Sequence, residues 1–532
     1  MPSSTTTSAL FRAPLLIPDV PYDHLLRQTA EQYPERHAIL FHEQVLTYRE
    51  VVSLVNSLAN GLRGSGLGKG DTMCVFTPNC PEYTLLFEAA ATIGAIFSPI
   101  NPFYKERELA YQLSDAEARA IVVHENLLPL LNQVLQQGRF PQLRQILVIG
   151  EERSDLLPEA HSLARLIWQS SPQRPEPASI SGDDILALPY SSGTTGLPKG
   201  VMLSHRNLVA NHTQFRAATR LTQTDTALIF LPLYHSYGIL LTGSFLAAGG
   251  TQILMERFEL QQVLDLCERH GVTWLFAVPP VFLALHAAPA EVLREKMKTI
   301  KYIMSAAAPL APAIGQAIEE KLGVKVVQGY GLTESSPDTH LSPLEEMGGL
   351  PGNVGLPVHN TEQKIVDIET GERELAVGEK GEVLLRGPQI MPGYWKASEE
   401  NARALRNGWL YTGDIGYLDE QGFLYIVDRK KEMIKYKGFS IAPAELEAVL
   451  LTHEAIQDAA VIGVANEEAG ELPKGYVVVK AGRQVSEEEL LGFVNQQVAG
   501  YKKLHAIAFL DALPRVPSGK LLRRVLKERE NQ

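Results

Sequence analysis

Strand–helix alternation predicts an α/β protein built on parallel sheets, with a second, smaller unit behind it. Three observations carry this reading. Short β-branched runs such as Ala120-Ile121-Val122-Val123 and Gln145-Ile146-Leu147-Val148-Ile149 have the continuous apolar character of strands buried on both faces. Helical patterns separate them, closed by glycines such as Gly271 and Gly323. After Gly352 the spacing changes to glycine-punctuated short strands at Gly371, Gly378, Gly381, Gly387 and Gly393, which suggests a small antiparallel barrel or sheet.

Residues 1 to about 20 read as an arm with little periodicity. From Tyr22 to about Gly150 helices and apolar runs alternate. Val75-Phe76 leads through Pro78-Asn79 into a helix expected from Pro81 to Ile96. The run Ile185 to Leu188 reads as a further strand. Val263 to His270 is helical and Thr273 to Val278 extended; Ala311 to Leu322 is helical and Val324 to Gln328 extended. Ligands in such sheets gather at the carboxyl ends of strands. The segments after Leu188 and at Gly329 to Glu334 are expected there. Tyr425-Ile426-Val427-Asp428 runs into the charged Arg429-Lys430-Lys431-Glu432, and 432–532 has the size of a compact domain. Pro443 followed by Glu445 and Glu447 is a helix start. The boundary is placed at Asp428 to Lys431, giving domains 1–428 and 429–532, and no internal repeat is visible.

With 532 residues the chain exceeds one ordinary core. Its net charge of −12, without a long Lys/Arg cluster, argues against nucleic acid as the main partner. The three cysteines, Cys74, Cys80 and Cys267, make no disulfide framework and lack metal-ligand spacing. No apolar run reaches the ~18 residues of a membrane span. Met1 to Ser8 lacks the apolar core of a secretory signal, and the end Glu530-Asn531-Gln532 is not a peroxisomal address. The expected compartment is the cytoplasm.

The most informative stretch is Tyr190-Ser191-Ser192-Gly193-Thr194-Thr195-Gly196-Leu197-Pro198-Lys199-Gly200. Glycines let backbone N–H groups converge on an anion. The hydroxyls add donors and Lys199 a point charge. The stretch therefore reads as a phosphate cradle. It is not the common P-loop: Pro198 precedes the lysine and Gly200 follows it, so the helix start and the metal-binding hydroxyl of that motif are missing.

Together with Asn101-Pro102-Phe103-Tyr104, Pro232-Leu233-Tyr234-His235, Gln328-Gly329-Tyr330-Gly331-Leu332-Thr333-Glu334, Tyr411-Thr412-Gly413-Asp414 and Pro517-Ser518-Gly519-Lys520, this stretch resembles the acyl-adenylate-forming superfamily of acyl-CoA synthetases, luciferases and nonribosomal adenylation domains. The likeness runs from about Phe11 to Leu526 and is strongest to 4-coumarate:CoA ligases and bacterial fatty-acid relatives. It implies a large N-terminal domain of two α/β sheet subdomains plus a small β-barrel-like subdomain, followed by a small mobile α+β C-terminal domain. It also implies a two-step reaction. A carboxylic acid and Mg-ATP give acyl-AMP and pyrophosphate, and coenzyme A then gives acyl-CoA and AMP. ATP, Mg²⁺ and coenzyme A are the implied cofactors. The expected molecule is a monomer or homodimer with no transmembrane segment.

Residue by residue, the resemblance gives the ATP site as Ser191, Ser192, Gly193, Thr194, Thr195, Gly196, Lys199, Gln328, Gly329, Tyr330, Thr333, Asp414, Arg429 and Lys520. Ser191, Thr194, Thr195 and Lys199 face the β- and γ-phosphates, and Thr333 the α-phosphate. Tyr330 stacks on adenine, and Asp414 and Arg429 reach the ribose. Glu334 helps hold the metal. Lys520 bridges carboxylate and α-phosphate during adenylation, while Lys435 serves thioester formation after a rotation about Lys431. Lys437 and Gly438 join Lys435 at the coenzyme A site. The acyl wall comprises His235, Tyr237, Ser305, Ala306, Gly329, Gly331 and Pro337. A histidine at 235 suits a substrate without an amino group. An apolar fatty acid and a hydroxycinnamate-like aryl acid both fit.

Two departures stand out: relatives read Ser-Gly where this chain has Ser305-Ala306, and a usual glutamine is Ser440 here. Transfer to a carrier protein, luciferase-like oxidation and an inactive nucleotide-binding homologue are the competing readings. The last predicts loss of Thr333, Glu334 or Lys520, and all three are present.

Overall fold

The computed structural model describes residues 13–151, 156–191, 198–306, 310, 312–344, 352–436, 439–466, 469–498, 500–516 and 519–530. Among them, two nine-stranded sheets form the larger, N-terminal part. The first runs, in spatial order, Leu356–Pro357, Asp338–Leu341, Lys325–Gly331, Tyr302–Ser305, Trp274–Ala277, Thr226–Ile229, Thr251–Leu254, His37–Phe41 and Gln44–Thr47. Its interior pairings are parallel and its outermost ones antiparallel. Crossover helices cover such strands on both faces, which is why these runs are apolar throughout.

The second sheet is parallel from Ile185–Ala187 through Ile96–Ile100, Thr72–Phe76, Ala120–His124 and Gln145–Ile149 to Ala160–Ser162. Lys199–Ser204 adds antiparallel to it, with Tyr190–Ser191 and Gly393–Tyr394 paired alongside. One continuous apolar cluster joins the two sheets, from Tyr22 and Tyr48 to Phe97, Phe245 and Trp274. Helix Tyr48–Gly64 enters it through a reciprocal cap between Thr47 and Glu50. The three cysteines are buried free thiols whose pKa burial pushes up to about 12.

A third, antiparallel sheet of five strands holds Glu362–Val366, Gly381–Arg386, Trp409–Leu418, Leu405–Arg406 and Leu424–Arg429. This is the small glycine-punctuated unit expected after Gly352. The C-terminal domain is a fourth sheet with its own apolar core around Ile434, Leu446, Val461 and Val477. Helix Pro443–Leu451 packs on it, with proline in its first turn.

Two boundaries differ from the sequence expectation. The helix from Pro81 ends at Ile93, because Gly94 caps it with a left-handed backbone (φ 76), and Ile96 already opens a strand. The strand expected to stop at Gln328 continues to Gly331, because Asp338–Leu341 folds back on it as a hairpin. Gly329, Tyr330 and Gly331 therefore alternate across a strand instead of lying in a loop.

Candidate active site

The parallel pairing of three strands stops level, with Ala277, Ser305 and Gln328 in register. Tyr330, Thr333 and Glu334 follow directly beyond the last of them. Tyr330 leaves the edge on the face opposite Gly329 and Gly331 and packs against the apolar core of the third sheet. Its hydroxyl donates to Asp414 Oδ2 at 2.7 Å. Arg429, paired with Asp414 across neighbouring strands, holds Oδ1 at 3.1 Å. Asp414 is buried between them. Its carboxylate and burial together push the Tyr330 phenol well above its ordinary range. Each carboxylate oxygen keeps a second lone pair, so two further donors can be accepted.

Lys520 arrives from the C-terminal domain. Gly519 lies against Val278 and Pro280, just past the strand Trp274–Ala277. Its carbonyl accepts from Arg515 at 2.8 Å, and Arg515 is itself gripped through two nitrogens by Asp458. A planar guanidinium held twice on one side is a rigid strut for the loop it bonds on the other. Burial, with Arg429 and Lys431 nearby, lowers the Lys520 pKa to about 8, and Asp414 and Glu334 pull the other way. Lys520 in turn helps burial lower His235 to about 4. His235 is therefore a neutral imidazole. It precedes helix Ser236–Ala248, and its Nε2 is buried with no partner among the described residues.

Glu334 sits in the turn Thr333–Ser335 and accepts at Oε1 from Tyr394 (2.9 Å) and Ser191 (3.3 Å). Lys199, opposite Ser191 in the hairpin, pairs with Glu400 at 3.1 Å and lies 5.7 Å from the Tyr394 ring centroid. Both ends of the glycine-rich stretch thus face the Glu334 region. Ser192, Gly193, Thr194, Thr195 and Gly196 lie outside the described residues, as do Lys437 and Gly438.

A family model described as "AMP-binding enzyme" matches residues 26–395, and its companion "AMP-binding enzyme C-terminal domain" matches 445–520. The chain belongs to the AMP-binding enzyme family. Relatives of this AMP-binding enzyme include a 4-coumarate–CoA ligase of Petroselinum crispum, 39% identical over 91% of this chain and 89% of its own. Another is a long-chain-fatty-acid–CoA ligase of Bacillus subtilis (strain 168), 35% identical over 97% and 96%. Among solved structures, the anthranilate CoA ligase AuaEII in complex with anthranoyl-AMP superposes with a TM-score of 0.88 at 27% identity, covering 97% of this chain and 98% of that one. ATP-bound MatB from Rhodopseudomonas palustris gives 0.87 at 28%, covering 95% and 98%.

In this AMP-binding enzyme the fold brings together Ser191, Lys199, Tyr330, Glu334, Asp414, Arg429 and Lys520 with His235. Lys435 is instead exposed on the strand Ile434–Tyr436, its amide held by Glu471. Lys431, the expected hinge, directly follows the Arg429–Lys430 corner, where Lys430 binds the Gly413 carbonyl and Glu382. Tyr394, Glu400, Arg515 and Asp458 were not singled out in the sequence. Only the glycine before Tyr394 marked its strand, and the Arg515–Asp458 pair spans 57 positions without a local signal.

Gly331 takes its residue type from packing. A Cβ there would lie 2.0 Å from the Pro337 carbonyl oxygen, which also accepts from the Leu332 N–H. Gly331→Ala is expected to cost about 1–3 kcal/mol by forcing the hairpin open. Urea unfolding measures this, and an unchanged midpoint would show that the turn gives way freely.

Proposed function

We propose that this chain is an ATP-dependent, AMP-forming acid–CoA ligase. The substrate carboxylate attacks the α-phosphorus of ATP, the bond to the bridging oxygen breaks, and pyrophosphate leaves. The thiol of coenzyme A then attacks the acyl carbon of the adenylate, its proton passes to solvent, and AMP departs. The observation that supports this most is the position of Lys520. Its charge is felt by His235 on one side and by the Asp414–Arg429–Glu334 group on the other. A cation between an acyl pocket and a nucleotide site is what two mutually repelling anions require.

In this reading Asp414 and Arg429 take the ribose, Tyr330 the adenine, Thr333 the α-phosphate, and Ser191, Lys199 and the stretch between them the outer phosphates. Lys199 exchanges Glu400 for phosphate when the nucleotide binds. Among the described residues no three His, Cys, Asp or Glu side chains cluster as a protein-built metal cage. One carboxylate, Glu334, at the phosphate end suits Mg²⁺, which binds through one or two carboxylates and the substrate phosphates. Bound there, the metal would neutralise phosphate charge. The arrangement with Lys520 inside is the adenylating one. Division near residue 428 and rotation about Lys431, bringing Lys435 with Lys437 and Gly438 to the site for the second step, belong to the same proposal.

The neutral His235, with Tyr237, Ser305, Ala306, Gly329 and Pro337, faces an uncharged acyl group, aryl or aliphatic. The direct test is ATP-dependent thioester formation over benzoates, cinnamates and fatty acids of graded length. Acyl-CoA and AMP are expected in equal amounts. Adenylate without thioester would favour a carrier protein as acceptor, and no pyrophosphate release from any acid would sink the ligase reading.

Lys520→Ala should slow adenylation about a hundredfold or more, while thioester formation from preformed acyl-AMP keeps its rate. Equal loss in both steps would contradict the division of labour between the lysines. The lowered Lys520 pKa gives a second expectation. Near pH 8 the free enzyme carries this lysine about half protonated, and a bound triphosphate stabilises the ammonium form. ATP binding should therefore take up part of a proton from the buffer near pH 8. The uptake should vanish near about pH 6, where Lys520 is already charged. Calorimetry in two buffers of different ionisation heat measures it, and Lys520→Ala should abolish it.

A further inference from the structure

Both stems of the glycine-rich hairpin, Tyr190-Ser191 and Lys199-Gly200, are tied to one residue that lies outside the site, Asp115. Asp115 is the last residue of helix Glu106–Asp115. Its Oδ2 accepts from the Tyr190 hydroxyl at 2.6 Å, across 75 positions of sequence. Its carbonyl accepts from the Trp395 indole at 3.0 Å and from Lys396 Nζ at 2.9 Å. The Trp395 N–H in turn donates to the Gly200 carbonyl at 2.8 Å. One stem is thus held by the carboxylate and the other, through Trp395, by the carbonyl of the same residue.

Nothing local calls for an acid at this position. A carboxylate at a helix C-terminus opposes the helix dipole, so the helix gains nothing from it. The Asp115 carbonyl is one of those that a helix end leaves without an internal partner. Trp395 and Lys396 supply the donors, and Lys396 also pairs with Glu117 at 3.0 Å. The mount is stiff. Gln112, one turn earlier on the helix, donates to Ser98 Oγ at 3.0 Å and to the Pro99 carbonyl at 2.9 Å, and Ser98 donates to the Leu188 carbonyl at 3.0 Å. The helix is thereby fixed to the strand Ile96–Ile100 and to Leu188, just before the hairpin. Burial, reinforced by the hydrogen bond to Asp115, pushes the Tyr190 phenol far above its ordinary range, so it stays a donor. At the other end of the stems, Ser191 bonds Glu334, and Lys199 lies beside Tyr394, which bonds Glu334 as well.

We infer that Asp115 is a positioning residue for the outer phosphates of ATP: it fixes Ser191 and Lys199, one on each stem, against the Glu334 end of the site while touching no substrate atom. The inference rests on the ligase reading above, which takes those two residues as phosphate contacts. A hydroxyl and an ammonium serve one polyphosphate together only at a fixed spacing, and a misplacement of about 1 Å can cost about a hundredfold in rate. The residues taken for adenine, ribose and α-phosphate, Tyr330, Asp414, Arg429 and Thr333, belong to other strands and turns. Loss of the clamp is therefore felt by ATP and not by AMP.

Calorimetry of ATP and AMP binding in the presence of magnesium tests it, alongside the two half-reactions. In Asp115→Ala the Kd for ATP should rise about tenfold and that for AMP stay within about twofold of the wild type. Formation of acyl-AMP should fall at least in proportion, while thioester formation from preformed acyl-AMP keeps its rate. Tyr190→Phe, which loses only the hydroxyl, should reproduce these effects. The double variant should be no worse than either single one, because both remove the same bond. Asp115→Asn, which keeps an acceptor oxygen, should restore most of the ATP affinity. A merely structural bond would lower the midpoint of urea unfolding and leave the ratio of ATP to AMP affinity unchanged. An unchanged ratio in Tyr190→Phe overturns the inference even where Asp115→Ala does not fold, and additive losses in the double variant overturn it too. A wild type that binds ATP yet releases no pyrophosphate with any acid refutes the ligase reading instead, and the clamp is then judged on the ATP and AMP affinities alone.

Discussion

The Asp414 carboxylate ties the site together. It belongs to the third sheet, yet one oxygen takes the hydroxyl of Tyr330 from the first sheet, and the other takes Arg429 at the threshold of the C-terminal domain. A buried carboxylate is tolerable only when paired and hydrogen-bonded, so the burial of Asp414 requires these three elements to meet. Lys520 enters beside this cluster, where burial, with Arg429 and Lys431, lowers its pKa against the opposing pull of Asp414 and Glu334. Without the clamp the two large sheets could still form, because their shared core does not depend on it.

On one side of Lys520 lies a charged and hydroxylated surface, with Ser191, Lys199, Glu334, Tyr394 and Arg429. On the other lie the neutral His235 and apolar helix Ser236–Ala248, backed by Phe276. In the reading proposed above, polyphosphate and acyl group lie on opposite sides of a border at Ala277, Ser305 and Gln328, where the parallel pairing stops.

Rigidity around the border comes from hydrogen bonds far apart in sequence. Asn211 brackets the backbone of Asp338, and Asp458 braces Arg515 beneath the Gly519 carbonyl. The Pro337 carbonyl fills the space a side chain on Gly331 would need. These groups touch no reacting atom, but reacting groups act efficiently only when their supports hold them in place.

Local pattern determined a good deal. The apolar runs at 120–123 and 145–149, the glycine stops and the glycine spacing after 352 were enough for an α/β fold with parallel sheets, a small antiparallel unit and a compact C-terminal unit, because buried parallel strands and helix caps leave signals within a few residues. The glycine- and hydroxyl-rich stretch reads as a phosphate cradle for the same reason, though its residues 192–197 lie outside the described ones. What tertiary structure alone decided is which distant residues meet. The extension of a strand to Gly331, the engagement of Asp414 by Tyr330 and the strut from Asp458 to Gly519 depend on contacts spanning tens to hundreds of positions, and a carboxylate in a sequence looks the same whether it ends in water or in an ion pair.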